Sequence, residues 1–260
     1  MKKTVPFLLL IILFAAAAWY SLVRKPDPVH ELPPPTLLPA TPSDIQQPVP
    51  EPGDQPADVE PQPVPEPLPM LNESDTEVIG AMAELTGANP LAVYLVKDQV
   101  ISRMVATIDS LDARQVPLPA NPVKHPEGKF LTTVSDDKTL LARENFDRYD
   151  AYISLLQVLD GESLLGFYTR YYPLLQQAWE ENGGQGAFND RLLDVIDHLL
   201  ATPEVEGDIY LVKPEAVYLF EDPDLEALTA GQKILLRMGP GNMAVVKAKL
   251  AEIRDMLNSD

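Results

Sequence analysis

The chain reads as mainly α: a multi-helix domain with a small β-hairpin or extended element, preceded by one transmembrane helix and a Pro-rich disordered linker. Three observations lead to this reading. Residues 5–23 carry no charge. Sixteen of the 27 prolines crowd into residues 26–69. Beyond Leu71, apolar residues recur mostly at the spacing of one helix face. The expected order is therefore a transmembrane anchor at 1–25, a Pro- and acid-rich linker at 26–70 and a mainly helical domain at 71–260.

The anchor follows from length and flanks. Lys2 and Lys3 precede VPFLLLIILFAAAAWYSLV, whose nineteen residues (5–23) span about 28 Å as a helix, close to the thickness of a hydrocarbon core. Trp19 and Tyr20 sit near its far end, where interfacial aromatics belong, and Arg24 and Lys25 close it. A cleaved signal peptide and a soluble periplasmic protein is the rival reading, because Ala16 and Ala18 form an A-x-A site. The apolar run continues through Leu22 and Val23, longer than a signal needs, which favours the anchor. A short N-terminal tail stays in the cytoplasm while a long following domain is exported. The expectation is a single-pass protein of a bacterial inner membrane with its main domain in the periplasm.

Residues 26–69 contain eight acids and neither Lys nor Arg, and QPVPEP occurs twice, at 47–52 and 62–67. Prolines this dense lack the donors for helix or sheet and favour polyproline II. The segment reads first as an unspecific tether, with a stand-off spacer or a docking tract for a proline-binding partner as the alternatives.

In the folded part, Ser74 and Glu77 have capping-box spacing and Gly87 a stop, marking a first helix. Asn89-Pro90 starts a second, whose residues from Leu91 to Leu111 are largely apolar. VPLPANPVKHPEGK (116–129) is a loop, and KFLTTV-SDD-KTLLA a hairpin around Ser135-Asp136-Asp137. Helices follow over 146–160, over 162–182 with Pro173 expected to kink it, and over 187–200 up to Pro203. GDIYLVKPEAVYLFEDP (207–223) is extended, with Pro214 barring a central strand. DLEALTAGQKILLRMG and NMAVVKAKLAEIRDML form two closing helices around Gly239-Pro240-Gly241.

Thirty-nine acids against twenty Lys and Arg give a net charge of -19. Such a surface repels phosphate backbones and anionic headgroups, so neither nucleic acid nor a lipid surface is an expected partner of the folded part. The absence of cysteine excludes disulfides, thiolate metal sites and a cysteine nucleophile.

The stretch that looks most like chemistry is AFNDRLLDVIDHLLATP (187–203). Phe188, Leu192, Val195, Ile196, Leu199 and Leu200 form one apolar helix face, and Asp190, Asp194, Asp197 and His198 fall opposite. Asp194 and His198 are four apart and can meet. A metal site or acid–base pair needs further groups in a closed pocket, whereas a solvated helix face needs nothing more and is the preferred reading. Tyr149, Tyr152, Tyr168, Tyr171 and Tyr172 cluster on two helices. They read as core lining with phenols at the rim, or as a stacking groove for a glycan or peptide. The candidate interaction surface is Asp190, Asp194, Asp197, His198, Tyr168 and Tyr171, with no catalytic, cofactor or metal residue assigned and no cofactor expected.

Three stretches, RMVATIDSL (103–111), FNDRLLDVIDHLLATPEVEGDIYLVKP (188–214) and DPDLEALTAGQKILLRMGPGN (222–242), together with the Tyr149-to-Tyr152 region, resemble the DUF3014 family of unknown function. The resemblance implies an anchored envelope protein of bacteria with a two-membrane wall. It carries over no activity, cofactor or catalytic residue. The leading expectation is a non-enzymatic interaction or scaffold module that binds another envelope protein or assembly. The alternatives are a tethered hydrolase or glycan-processing enzyme using the Asp190/Asp194/His198 face, and a glycan or small-ligand binder using the tyrosines.

Overall fold

The computed structural model describes residues 67–85, 96–115, 122, 128–215 and 217–258. The expected membrane span, all but the end of the proline spacer, His30, His125 and the expected helix start at Asn89-Pro90 lie outside those residues. Among the described residues, no helix is long and apolar enough to cross a membrane. They form eight α-helices and one four-stranded antiparallel sheet, so the mainly helical expectation holds and the β element is larger than a hairpin.

Helix α1 (Asp75–Leu85) and helix α2 (Val100–Ser110) are joined by a cap across the chain. The Asp75 carboxylate accepts from the Gln99 and Val100 amides at 2.8 Å each, satisfying donors that α2 leaves free at its start. The expected Ser74/Glu77 capping box does not form. Ser74 Oγ donates to the Leu71 carbonyl at 2.8 Å. Glu77 reaches instead to α4 (Gly161–Glu181), accepting from Arg170 at 2.8 Å and from the Tyr171 hydroxyl at 3.0 Å. Residues 96–99 are not helical and Gln99 has φ 53, so the described part of the second helix starts at Val100.

Strands β1 (Thr132–Ser135) and β2 (Lys138–Leu141) form the expected hairpin. Its turn is the pair Asp136-Asp137, at φ 49 and 62, the doubly left-handed geometry whose twist suits a two-residue connection. Strands β3 (Tyr210–Val212) and β4 (Leu219–Phe220) extend the sheet in the order β1-β2-β3-β4. Contrary to the expectation from Pro214, β3 is an interior strand paired on both sides, because it ends at Val212 and Pro214 falls between β3 and β4, clear of the ladder. Arg237 ties sheet to helices: only 6% exposed, it lies 4.7 Å over the Phe220 ring and donates to the Tyr218 carbonyl.

Two 3-10 turns (Arg143–Asn145 and Asp147–Tyr149) precede α3 (Asp150–Val158). Asp160 caps α4, which runs through Pro173 without ending. It stops in a Schellman motif: the Gly183 amide donates to the Glu180 carbonyl, the Gly184 amide to the Trp179 carbonyl, and Gly183 sits at φ 87. Helix α5 (Phe188–Leu200) buries Phe188, Leu192, Val195, Ile196 and Leu199, as its spacing predicts. The single helix expected from Asp224 is two: α6 (Pro223–Ala227) and α7 (Ala230–Arg237). Thr229 and Gln232 form a capping box between them, which restarts the helix. Helix α8 (Pro240–Leu257) closes the described part.

The start of α7 meets the end of α2. The Ala230 amide donates to the Ala113 carbonyl at 2.8 Å and the Gly231 amide to the Leu111 carbonyl at 2.9 Å. Free donors of one helix thus satisfy free acceptors beyond the end of another. A Cβ on Gly231 would stand 2.6 Å from Leu199 Cδ2 and 2.9 Å from the Leu111 carbonyl oxygen, so only glycine permits the approach.

Gly231→Ala is expected to destabilise the domain by about 1–3 kcal/mol and to lower the midpoint of a circular-dichroism melt by about 2–4 °C per kcal/mol; an unchanged midpoint would refute this joint. Asp137→Gly, which relieves a left-handed aspartate, is expected to act the other way, raising stability by about 0.5–1 kcal/mol in the same assay.

Candidate functional site

One stripe of α4 carries Leu165, Tyr168, Thr169, Tyr172 and Pro173, at steps of three and four residues that place them on one face. With Asn189 of α5 and Leu257 of α8 they line an open cleft of about 370 Å³. Tyr168 is buried, and its hydroxyl donates to Asn189 Oδ1 at 3.1 Å. Tyr172 meets the Tyr168 ring edge-on at 5.5 Å and donates to Gln176 Oε1 at 3.2 Å. Burial foremost, then the neighbouring Tyr172 and Asp190, push the Tyr168 phenol above the ordinary tyrosine range. The phenol therefore stays neutral, a hydrogen-bond donor rather than a base.

The remaining tyrosines are structural, as core lining requires. Tyr149, Tyr152 and Tyr171 are nearly inaccessible. The Tyr171 hydroxyl, bonded to Glu77, anchors α1 rather than lining the cleft. Hydrogen bonding from Arg170, ahead of that from Tyr171, holds the Glu77 carboxyl below the usual range.

The acidic face of α5 is spread over several contacts. Asp190 and Asp194 are exposed. Asp197 pairs with Arg254 of α8 at 3.2 Å. His198 Nε2 lies 2.9 Å from Thr229 Oγ1, the hydroxyl that also caps α7. Among the described residues, no group of three or more histidines and acids is placed to hold a metal ion. Of the six residues singled out in the sequence, Tyr168 and Asp190 come together beside Asn189, while Asp197, His198 and Tyr171 each meet a different structural partner.

The model of a family described as a protein of unknown function, DUF3014, matches residues 100–254. The chain belongs to the DUF3014 family. Neither a curated protein nor a solved structure matches it. The match spans α2 to the last turns of α8 and so includes every cleft residue except Leu257. Helix α1 precedes it, although Asp75 and Glu77 bond into the matched region.

The group in this DUF3014 domain that sequence reading missed is Arg191. Its Nε donates to Asp109 Oδ1 at 2.8 Å, its Nη1 to Asp112 Oδ2 at 2.7 Å, and its Nη2 to Asp112 Oδ1 at 2.8 Å and to the Asp109 carbonyl at 2.6 Å. This fork clasps the end of α2 to α5 close to the Gly231 joint. The bond from Arg191 foremost, with smaller help from its charge and from His198, holds the Asp112 carboxyl below its ordinary pKa.

The sign of the pH effect follows. A carboxyl with a depressed folded pKa adds stability above its unfolded value, about 3.9, and loses it as pH falls through the folded value. Wild-type protein should therefore shed stability below about pH 4. In Arg191→Met the contribution at neutral pH should be gone and this part of the acid limb flattened, as read by urea unfolding at pH 7 and pH 3. Parallel limbs in the two proteins would show that the fork does not set the Asp112 titration.

Proposed function

We propose that this DUF3014 protein is a membrane-tethered, non-catalytic binding module of the bacterial envelope. It holds its helical domain in the periplasm and engages another envelope protein through the tyrosine cleft. The observation that carries the binding reading is the cleft itself. One helix face turns two tyrosines, a proline and an exposed threonine towards an open space with Asn189 beside them. Such a mainly apolar concavity with few polar groups is the usual form of a recognition site. The uncharged run at 5–23, its basic flanks and the proline-dense spacer support the tethered arrangement.

The hydrolase alternative is not favoured. His198 faces the hydroxyl that caps α7, and Asp197 is paired with Arg254. Neither belongs to the cleft, so the acid and imidazole groups do not converge on one space with the tyrosines.

Fractionation of cells expressing the full chain should place it in the inner membrane, and protease added to spheroplasts should digest the domain. A photo-crosslinking residue at Thr169 should give a discrete adduct in cells that the same residue at Glu144 does not. Protection from protease would overturn the topology, and identical adducts at both positions would overturn the cleft as the binding surface.

A further inference from the structure

We infer that the cleft takes a lysine side chain borne on an apolar segment of the partner. This rests on the binding reading above and specifies the chemistry of the occupant. Three features converge on it.

The first is a carbonyl without its ordinary partner. In an α-helix the amide of residue i+4 donates to the carbonyl of residue i, and proline has no amide hydrogen. Pro173 therefore cannot donate to the carbonyl of Thr169. Both residues are exposed and both line the cleft. A proline in a helix interior costs about 3 kcal/mol relative to alanine, and here it sits on the one stripe that faces the cleft. What it leaves there is a carbonyl without its i+4 donor.

The second is aromatic surface. Half-buried Tyr172 meets the buried Tyr168 ring edge-on at 5.5 Å, so Tyr172 supplies most of the aromatic surface of that wall. Electron-rich ring faces attract an ammonium group, and apolar walls accept the methylene stem that carries it.

The third is charge. Asp190 is exposed in the first turn of α5, next to Asn189 and close enough to act on the Tyr168 phenol. The nearby cations Arg170 and Arg254 are already paired, with Glu77 and Asp197. With the chain at -19 overall, an incoming ammonium meets the Thr169 carbonyl and the Tyr172 ring, with the exposed Asp190 carboxylate next to the cleft residue Asn189. An anionic occupant would be opposed by the Asp190 charge and the Thr169 carbonyl oxygen, and a neutral apolar one would give that carbonyl no donor.

The test uses the full-length chain in nonionic detergent and a dye-labelled peptide, acetyl-Ala-Leu-Lys-Leu-Ala, against the same peptide with norleucine in place of lysine. Binding is read by fluorescence anisotropy. The lysine peptide should bind about tenfold more tightly, and Tyr172→Ala should abolish the difference. Asp190→Asn should weaken lysine-peptide binding several-fold, while Asp136→Asn, an equal charge change in the hairpin turn, should not.

Pro173→Ala is the sharpest variant. It restores an amide donor to the Thr169 carbonyl, so it should raise the melting temperature and weaken the lysine peptide together. A higher melting temperature with unchanged binding would overturn the role given to that carbonyl. Equal binding of the two peptides, still lost in Tyr172→Ala, would overturn the lysine inference and leave the cleft reading standing. Binding of neither peptide, or binding indifferent to Tyr172→Ala and Asp190→Asn alike, would overturn both.

Discussion

Two helix ends must come almost into contact for this domain to close, and a single missing side chain allows it. The amides of Ala230 and Gly231 are spent on carbonyls just past the end of α2, and Leu199 of α5 presses against the same glycine. Three helices are thereby located against one another at one point. The Arg191 fork then clamps the same neighbourhood from the side, with both aspartates on the segment that ends α2. Hydrogen bonds of this kind contribute modestly when made and cost more when a buried partner is stranded. The arrangement is thus specified by several bonds acting at one place, the charge-assisted Arg191 fork the strongest of them.

The cleft depends on that geometry. Its wall is one face of α4, and its other two contributors are the first turn of α5 and the last turn of α8. Helix α5 is positioned by Arg191 and by its buried apolar stripe, and α8 is held to it through Asp197 and Arg254. Two members of the acidic face of α5 that first suggests chemistry, Asp197 and His198, are instead bonded to neighbouring helices. The space those neighbours leave is the cleft.

What could be read from the sequence is what local spacing encodes. The apolar stripe of α5, the hairpin around Ser135-Asp136-Asp137, the extent of α4 and the helix break at Gly239-Pro240-Gly241 all follow from residues within a few positions of one another. Their physical causes, periodic burial, left-handed turns and helix caps, act over the same short range. The misses are long-range or competitive. Arg191 lies 82 and 79 residues from its two aspartates, and Tyr171 lies 94 from Glu77, separations at which composition says nothing about pairing. Ser74 and Glu77 had the spacing for a capping box, but a guanidinium and a phenol on another helix compete for that glutamate. Thr229 and Gln232 were legible as a box in hindsight, and they divide one expected helix into two. For the candidate site, the tyrosines were visible on the chain. The identity of the pair that lines the cleft, Tyr168 and Tyr172 rather than Tyr168 and Tyr171, depends on which way α4 is rotated against the core.

The cap that Asp75 places on α2 has a consequence for where this folding unit begins. Trimmed to the limits of the family match, a fragment would start at Val100 with its leading amides bare, Arg170 facing water in place of Glu77, and the phenol of Tyr171 stripped of its acceptor. The limits of the family match and those of the hydrogen-bonded fold do not coincide in this chain. The physical boundary lies upstream of the recognisable one, at or before the turn that opens with Leu71.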